Sequence, residues 1–315
     1  MRVLITGAAG NLGASLTQHL LTTPLELRLL IHHTELPFAS AGHANVTVCR
    51  ADLADPRSLV EPCRGVDCIV HFAGVLFAPR PERFLPTTNV TYVRNLVTAA
   101  RAAGVRKFIL ISFPHVEGET SPGHRASGRL DGIPTSVHAR TRLAAEQYLA
   151  EACAGQAMTP IALRAGMIYG RGVLMIEACR WLLKRHALAV WRPPTWIHLL
   201  ALPDFLRCVA VAIEEERVAG IYNLGDDRPV TLQTFLDTVA IHWGFERPWR
   251  LPRWMFYVAG GCCEAFALAF RTASPLTRDF IRIGMASYVS DTSRMKQELA
   301  PALAFPTLEQ GLTLL

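Results

Sequence analysis

The chain has 315 residues, half of them hydrophobic and 18% charged, with a net charge of +6. That balance excludes a disordered polyelectrolyte and leaves room for a large buried core. Basic residues such as Arg180, Lys184, Arg185 and Arg192 are too scattered to form a nucleic-acid tail, and no nucleic-acid partner is expected.

The opening run Arg2 to Thr6 is short and mostly apolar, as a buried strand requires. It breaks at Gly7, and Gly10 and Gly13 follow at spacing three. From Asn11 to Leu21 a helix is predicted, with Leu12, Leu16, Leu20 and Leu21 on one face. A strand, a glycine turn and a helix opening on free N–H groups form a cradle for a diphosphate. The missing side chains admit the phosphates, and the helix N-terminus favours their charge. A strand starting at residue 2 is expected to leave no room for a leader peptide.

Further strands are predicted at Leu25 to Ile31, ending in His32 and His33, then at Val46 to Cys49 and Asp67 to Phe72. Two more follow at Phe108 to Ser112 and Thr159 to Arg164, with helices at Leu59 to Arg64, Asn89 to Ala103 and Thr141 to Ala154. This alternation implies an α/β fold, a doubly wound and mostly parallel sheet with ligands at the carboxyl ends of its strands.

Beyond Met167 the alternation is irregular. Helices are expected at Ile176 to Arg185, Asp204 to Glu216 and Leu232 to Trp243, and a strand at Ile221 to Leu224. The expected division is a dinucleotide-binding domain over residues 1–173, with 191–229 returning to it. Residues 174–190 and 230–315 then form a smaller, mainly helical substrate lobe. The apolar stretch Trp254 to Phe270, broken by Glu264 and two glycines, is read first as a buried helix of that lobe. Peripheral membrane contact is its minority reading. The eight cysteines lack CxxC pairs and zinc spacing, so reduced thiols of a cytoplasmic protein are expected and no metal site.

The motifs, in their order, resemble the extended short-chain dehydrogenase/reductases, the epimerase, dehydratase and 3β-hydroxysteroid dehydrogenase relatives. They are TGAAGNLG, Asp52-Leu53, HFAG, Asn89, FILIS, RAGMIYGRG, WIHLLALPDF, IYNLGDD and the C-terminal SDTSRMKQEL. The resemblance places the dinucleotide against Gly7, Gly10, Asn11, Leu12 and Gly13. It sets Asp52 and Leu53 along the adenine, Phe72, Ala73 and Gly74 beside the ribose, and Asn89 as a lock on the central helix. Relatives that use NAD carry an acid after the second strand, and those that use NADP a base; His32 and His33 stand there, so NADP is preferred over NAD.

One departure is sharp. The family's Tyr-x-x-x-Lys pair reads His138 and Arg142 here, and its Ser position falls on Phe113, one residue past Ser112. With an ordinary pKa near 6.5, His138 is a candidate acid–base, Arg142 a ribose holder, and Ser112 a candidate third member. His115, Glu117 and Tyr169 are further polar groups near the same rim. The polar segment Glu117 to Pro134 is either a surface loop or a substrate lid. Two readings follow: an atypical oxidoreductase of a small apolar carbonyl or alcohol, with Trp191, Trp196, Trp249 and the Trp254 helix lining its pocket, or a non-catalytic NADP(H)-binding scaffold, sensor or assembly subunit. A homodimer is compatible with either.

Overall fold

The structure, a computed structural model, describes residues 1–38, 43–74, 81–272, 274 and 276–315. Six strands follow the opening pattern: β1 (Arg2–Thr6), β2 (Glu26–Ile31), β3 (Val46–Arg50), β4 (Cys68–His71), β5 (Lys107–Ser112) and β6 (Thr159–Ala165). With Gly220–Leu224 they form one sheet in the order Gly220–Leu224, β6, β5, β4, β1, β2, β3. Every neighbouring pair is parallel.

Alternate strand residues serve opposite faces, and because helices cover both, the central strands are mostly apolar on both sides; the edge strand β3 is largely exposed. Val3, Ile5, Leu27, Leu29, Val70 and Ile109 pack with Leu16 and Leu20 of α1 (Asn11–Leu20) and with Phe205 and Val209 of the helix Leu202–Glu214. Leu4, Leu30, Ile69, Phe108 and Leu110 meet Leu96 and Val97 of the helix Tyr92–Ala102, and Ala145 and Leu149 of the helix Val137–Cys153. The product is a three-layer, doubly wound α/β fold, as the alternation implied.

A third apolar cluster joins the helices Leu174–Leu183, Leu232–His242, Arg253–Phe270 and Arg278–Met285 to short two-stranded ribbons. Trp191 is buried in it and donates from Nε1 to Thr195 Oγ1 at 2.7 Å. Trp196 and Trp249 lie on the surface. The three tryptophans therefore do not line a common pocket, contrary to the sequence reading.

Three further expectations change. The helix predicted from Thr141 starts at Val137, because its first turn is capped twice. Ser136 Oγ accepts from Ala139 N at 3.1 Å, and the Asp279 carboxylate accepts from Val137 N and His138 N at 2.9 and 3.2 Å. The Asn89 helix opens as a widened π turn, Pro86–Thr91, a form that recurs near functional sites. The helix Arg253–Phe270 is buried on one side only: Gly260, Glu264 and Ala267 are buried, Phe256 and Tyr257 pack partly on the third cluster, and most of its other residues are exposed.

Candidate functional site

The sheet order turns back between β1 and β4, so the carboxyl ends of these strands flank a crevice, the usual dinucleotide position in such sheets. Gly7 closes β1 with a left-handed φ of 71°. A Cβ there would come within 2.8 Å of Ala73 N, so the turn lies directly on the chain leaving β4. A Cβ on Gly13 would come within 2.2 Å of the Gly7 carbonyl oxygen, which holds α1 against the turn. Gly10 caps α1 without a side-chain acceptor, leaving the first-turn N–H groups for an anion. The cradle fits a diphosphate.

Asn11 offers its backbone N–H in the first turn of α1, while its side chain is engaged elsewhere. Its Nδ2 donates to Gly172 O at 2.6 Å, and its Oδ1 accepts from Leu174 N at 3.0 Å. It latches the glycine turn to the start of the helix Leu174–Leu183. Leu12 is half-buried on the first turn of α1.

On the adenosine side, Asp52 Oδ1 accepts from Ala54 N at 2.8 Å, stabilising its own turn, while Oδ2 stands 3.8 Å from His32 Nε2. Leu53 is buried beside it. The exposed rings of His32 and His33 lie 3.6 Å apart. Arg50 donates from Nη1 to the His32 carbonyl and pairs with Glu35, so the β2 end carries one arginine and two imidazoles.

After β4, Phe72 packs edge-on to Phe205, and Ala73 joins the other core face. Gly74 has no spare room: a Cβ would sit 3.0 Å from Arg142 Nη2 and 3.7 Å from Asn89 Oδ1. Asn89 Nδ2 donates to Thr141 Oγ1 at 3.0 Å, tying the π turn to the Val137 helix. The sequence positions of Gly74, Asn89 and Arg142 thus converge on one spot.

Arg142 is 7% exposed, and its Nε and Nη1 have no hydrogen-bond partner among the described residues. Burial pulls its pKa down to about 10, against the pull of Glu146 one turn away. Glu146 cannot pair fully with it, since its oxygens already accept from Arg164 at 2.6–3.3 Å and from the Ser112 hydroxyl. A buried, unsatisfied cation is costly, and such groups mark places where a ligand completes the structure.

Around the position of the family's tyrosine the surroundings are aromatic. His138 is buried, with its ring centroid 5.1 Å from that of Phe113. His115 lies 5.4 Å from Phe113 and 4.3 Å from Tyr288. Burial, then the Arg142 cation and His115, push His138 down to about 3. His115 is held near 4, chiefly by burial. That shift favours the neutral imidazole for His138, the candidate acid–base, whose Nδ1 is unpartnered among the described residues. The Ser112 reading is corrected, because its hydroxyl is committed to Glu146.

A buried charge network, missed by the sequence reading, fixes this region. Arg164, fully buried, donates from Nη1 to Glu117 at 2.5 Å, from Nε and Nη2 to Glu146, and from Nη2 to the Arg129 carbonyl at 2.7 Å. Glu117 also accepts from the N–H groups of Ser127, Gly128 and Arg129. The segment 117–134 is thus pinned from below. An arginine ending the apolar strand PIALRA was the available signal, since a buried guanidinium demands carboxylates. Tyr169 is packed against Phe235, and no group of three or more His, Cys, Asp or Glu among the described residues is placed to hold a metal.

A groove of about 820 Å³ lies beside the start of the Val137 helix, lined by Glu82, Tyr257, Gly261, Glu264, Arg278 and Asp279 among others.

Residues 3–225 match the model of the NAD dependent epimerase/dehydratase family. Uronate dehydrogenase of Pseudomonas putida is 29% identical over 181 residues, 58% of this chain and 66% of that protein. The 2-alkyl-3-oxoalkanoate reductase of Stenotrophomonas maltophilia is 27% identical over 184 residues, 55% of this chain and 52% of its own length. The chain therefore spans between half and two thirds of these relatives. Among solved structures, UDP-glucuronic acid 4-epimerase from Bacillus cereus, in complex with UDP-glucuronic acid and NAD, superposes with a TM-score of 0.77 at 19% identity, covering 100% of this chain and 97% of that one. UDP-glucose 4-epimerase from Thermus thermophilus, in complex with NAD, gives 0.73 at 24% identity, covering 100% and 97%. At these identities the likeness is one of fold.

Proposed function

The chain belongs to the NAD dependent epimerase/dehydratase family, and from that premise we propose that it binds NADP(H), in preference to NAD(H), across the crevice and reduces a small apolar carbonyl compound. The observation that carries this reading is Arg142. Its buried, half-unsatisfied guanidinium stands against Gly74 and Asn89, where a ribose or phosphate oxygen would complete it. The preference for NADP is supported by the β2 end, where His32, His33 and Arg50 lie close together and could meet a 2′-phosphate. Asp52 and Glu35 are engaged there with His32 and Arg50.

The nicotinamide supplies the hydride when bound. The residues of the chain must then manage a carbonyl oxygen that becomes an alkoxide. A neutral imidazole is suited to that: like the neutral histidine of triosephosphate isomerase, it polarises a carbonyl by donating its N–H without being an acid in the ground state. His138 would give that proton to the alkoxide, pass through the imidazolate and regain a proton from bulk solvent, so one hydride and one solvent proton are consumed per carbonyl, while the Arg142 charge, one turn along the helix, steadies the anion. Phe113 and Tyr288 keep the surroundings apolar. A relative named for reducing a 2-alkyl-3-oxoalkanoate fits a substrate of this class.

Phe113 favours a second reading, in which the dinucleotide is bound without turnover: it stands at the sequence position of the family's hydroxyl, with its ring 5.1 Å from that of His138. Titration with NADPH and NADH, followed by NADPH oxidation against a panel of apolar aldehydes and ketones, separates the two. Tighter NADPH binding, oxidation by the wild type, and binding without turnover in His138→Ala support the reductase. Binding with no oxidation across the panel assigns the scaffold role, and no binding at all removes both.

A further inference from the structure

The imidazole of His138 is buried, and its Nδ1 makes no hydrogen bond among the described residues. The ring is placed by its packing against Phe113 and by the backbone that carries it. That backbone is the first turn of the helix Val137–Cys153, whose leading N–H groups have no partner inside the helix. Val137 and His138 are each 6% exposed, so water does not readily serve those donors. Asp279, 141 residues beyond His138, serves both: Oδ1 accepts from Val137 N at 2.9 Å and Oδ2 from His138 N at 3.2 Å. Asp279 is itself held on either side. It lies in the first turn of the helix Arg278–Met285, where Arg278 donates from N and Nε to Glu264 at 2.7 and 2.8 Å, and Phe280 N donates to Thr277 Oγ1 at 3.1 Å. Toward the other end, Ile283 and the following Ala286 wall a small cavity with His115 and Ala139. The third apolar cluster thus reaches the site through one helix, with a carboxylate at its head.

We infer that Asp279 is a positioning residue: by holding the N–H groups of Val137 and His138 from the C-terminal lobe, it aims the His138 imidazole at the reacting carbonyl oxygen. The inference rests on the reductase reading for what the ring does, and on the geometry alone for what holds it. Arg142 is anchored separately. Thr141, next to it, accepts from Asn89 Nδ2 at 3.0 Å, a bond that does not involve Asp279. Loss of the Asp279 bonds therefore loosens the turn that carries His138 and leaves the turn that carries Arg142 in place. Proton delivery should suffer while dinucleotide binding does not.

Three variants of the full chain test it, on the carbonyl compound that the wild type reduces best. Asp279→Glu keeps the charge and both acceptors but sets them one methylene further out. Asp279→Asn keeps the shape and turns an amide N–H against one of the donors. Ser136→Ala is the control, since it removes the bond from Ala139 N in the same turn and leaves the N–H groups of Val137 and His138 alone. Both Asp279 variants are expected to lower kcat about 10- to 100-fold, the cost of a misplacement of about 1 Å, with KM and the NADPH Kd within about twofold of wild type. Ser136→Ala should lower Tm yet keep kcat within about twofold. A wild-type kcat in Asp279→Glu, or equal losses of kcat in Asp279→Asn and Ser136→Ala, shows a plain helix cap and overturns the inference; Asp279→Glu decides if Asp279→Asn fails to fold. Histidine Cε1–H NMR signals give a readout that needs no turnover, with the His138 signal assigned by its loss in His138→Gln. It should move in both Asp279 variants and stay in Ser136→Ala. A wild type that binds NADPH without turnover removes the reductase reading alone, whereas a His138 signal unmoved by either Asp279 variant removes this one.

Discussion

Replacing Gly13 by alanine tests the cradle at its tightest point. The added methyl would sit 2.2 Å from the Gly7 carbonyl oxygen and 2.9 Å from its carbon, where ordinary contact begins near 3.4 Å. Either α1 or the turn must give by about 1 Å, because close-packed interiors do not absorb such overlap. Overpacking of this size costs about 1–3 kcal/mol of stability. Dinucleotide binding should suffer more. The N–H donors of the first α1 turn make charge-assisted bonds near 2.8 Å, and a shift of about 1 Å breaks them. Loss of two such bonds, at about 1.5–3 kcal/mol each, weakens NADPH about a hundredfold or more. Gly104→Ala is the control: Gly104 has φ 73° with open space around its Cβ position, so it should cost about 1 kcal/mol from strain alone and leave binding unchanged. NADPH titration with urea denaturation reads both quantities. Wild-type affinity in Gly13→Ala would refute the diphosphate cradle.

Other predictions concern the groups around the site. Arg164→Met leaves Glu117 and Glu146 without their shared cation and should cost about 3–5 kcal/mol in urea denaturation; a loss below about 1 kcal/mol would mean the network is not structural. Asn11→Ala frees the glycine turn from Gly172 and Leu174, with an expected loss of about 1–2 kcal/mol and faster hydrogen exchange at Leu174 N. Acid should destabilise the fold through His71, His115, His138 and His198, all held down to about 3–4 mainly by burial. Unfolded, each takes up a proton near its ordinary value of about 6.5. Their stabilisation is therefore complete above that value and is lost as pH falls toward their folded values. Asp226, pushed by burial up to about 8, acts oppositely: its contribution is present below the ordinary carboxylate range and is lost as pH rises through 8. One group against four leaves a net loss on the acid side, at about 1.4 kcal/mol per pH unit for each net proton. Urea midpoints from pH 7 to pH 4 check it, and a flat profile would contradict it.

The order of apolar strands and periodic helices determined the sheet and its two covered faces, because a parallel strand buried on both sides is mostly apolar and admits a polar group only where a partner waits for it. Gly7 and Gly13 were equally legible: their roles are local, set by a left-handed φ and a missing side chain. Tertiary structure alone decided what depends on distant partners. Ser112 looked available until Glu146, 34 residues away, took its hydroxyl; that the Asn11 side chain latches the glycine turn to Gly172 and Leu174 likewise depends on residues far along the chain. The pKa of His138 depended on what buried it, chiefly its aromatic surroundings and Arg142, and composition carries no record of that. The outward apolar face of the helix Arg253–Phe270 was hidden for the same reason. Periodicity reveals that a helix has an apolar side, but only packing decides whether that side meets the core or leaves it to something else.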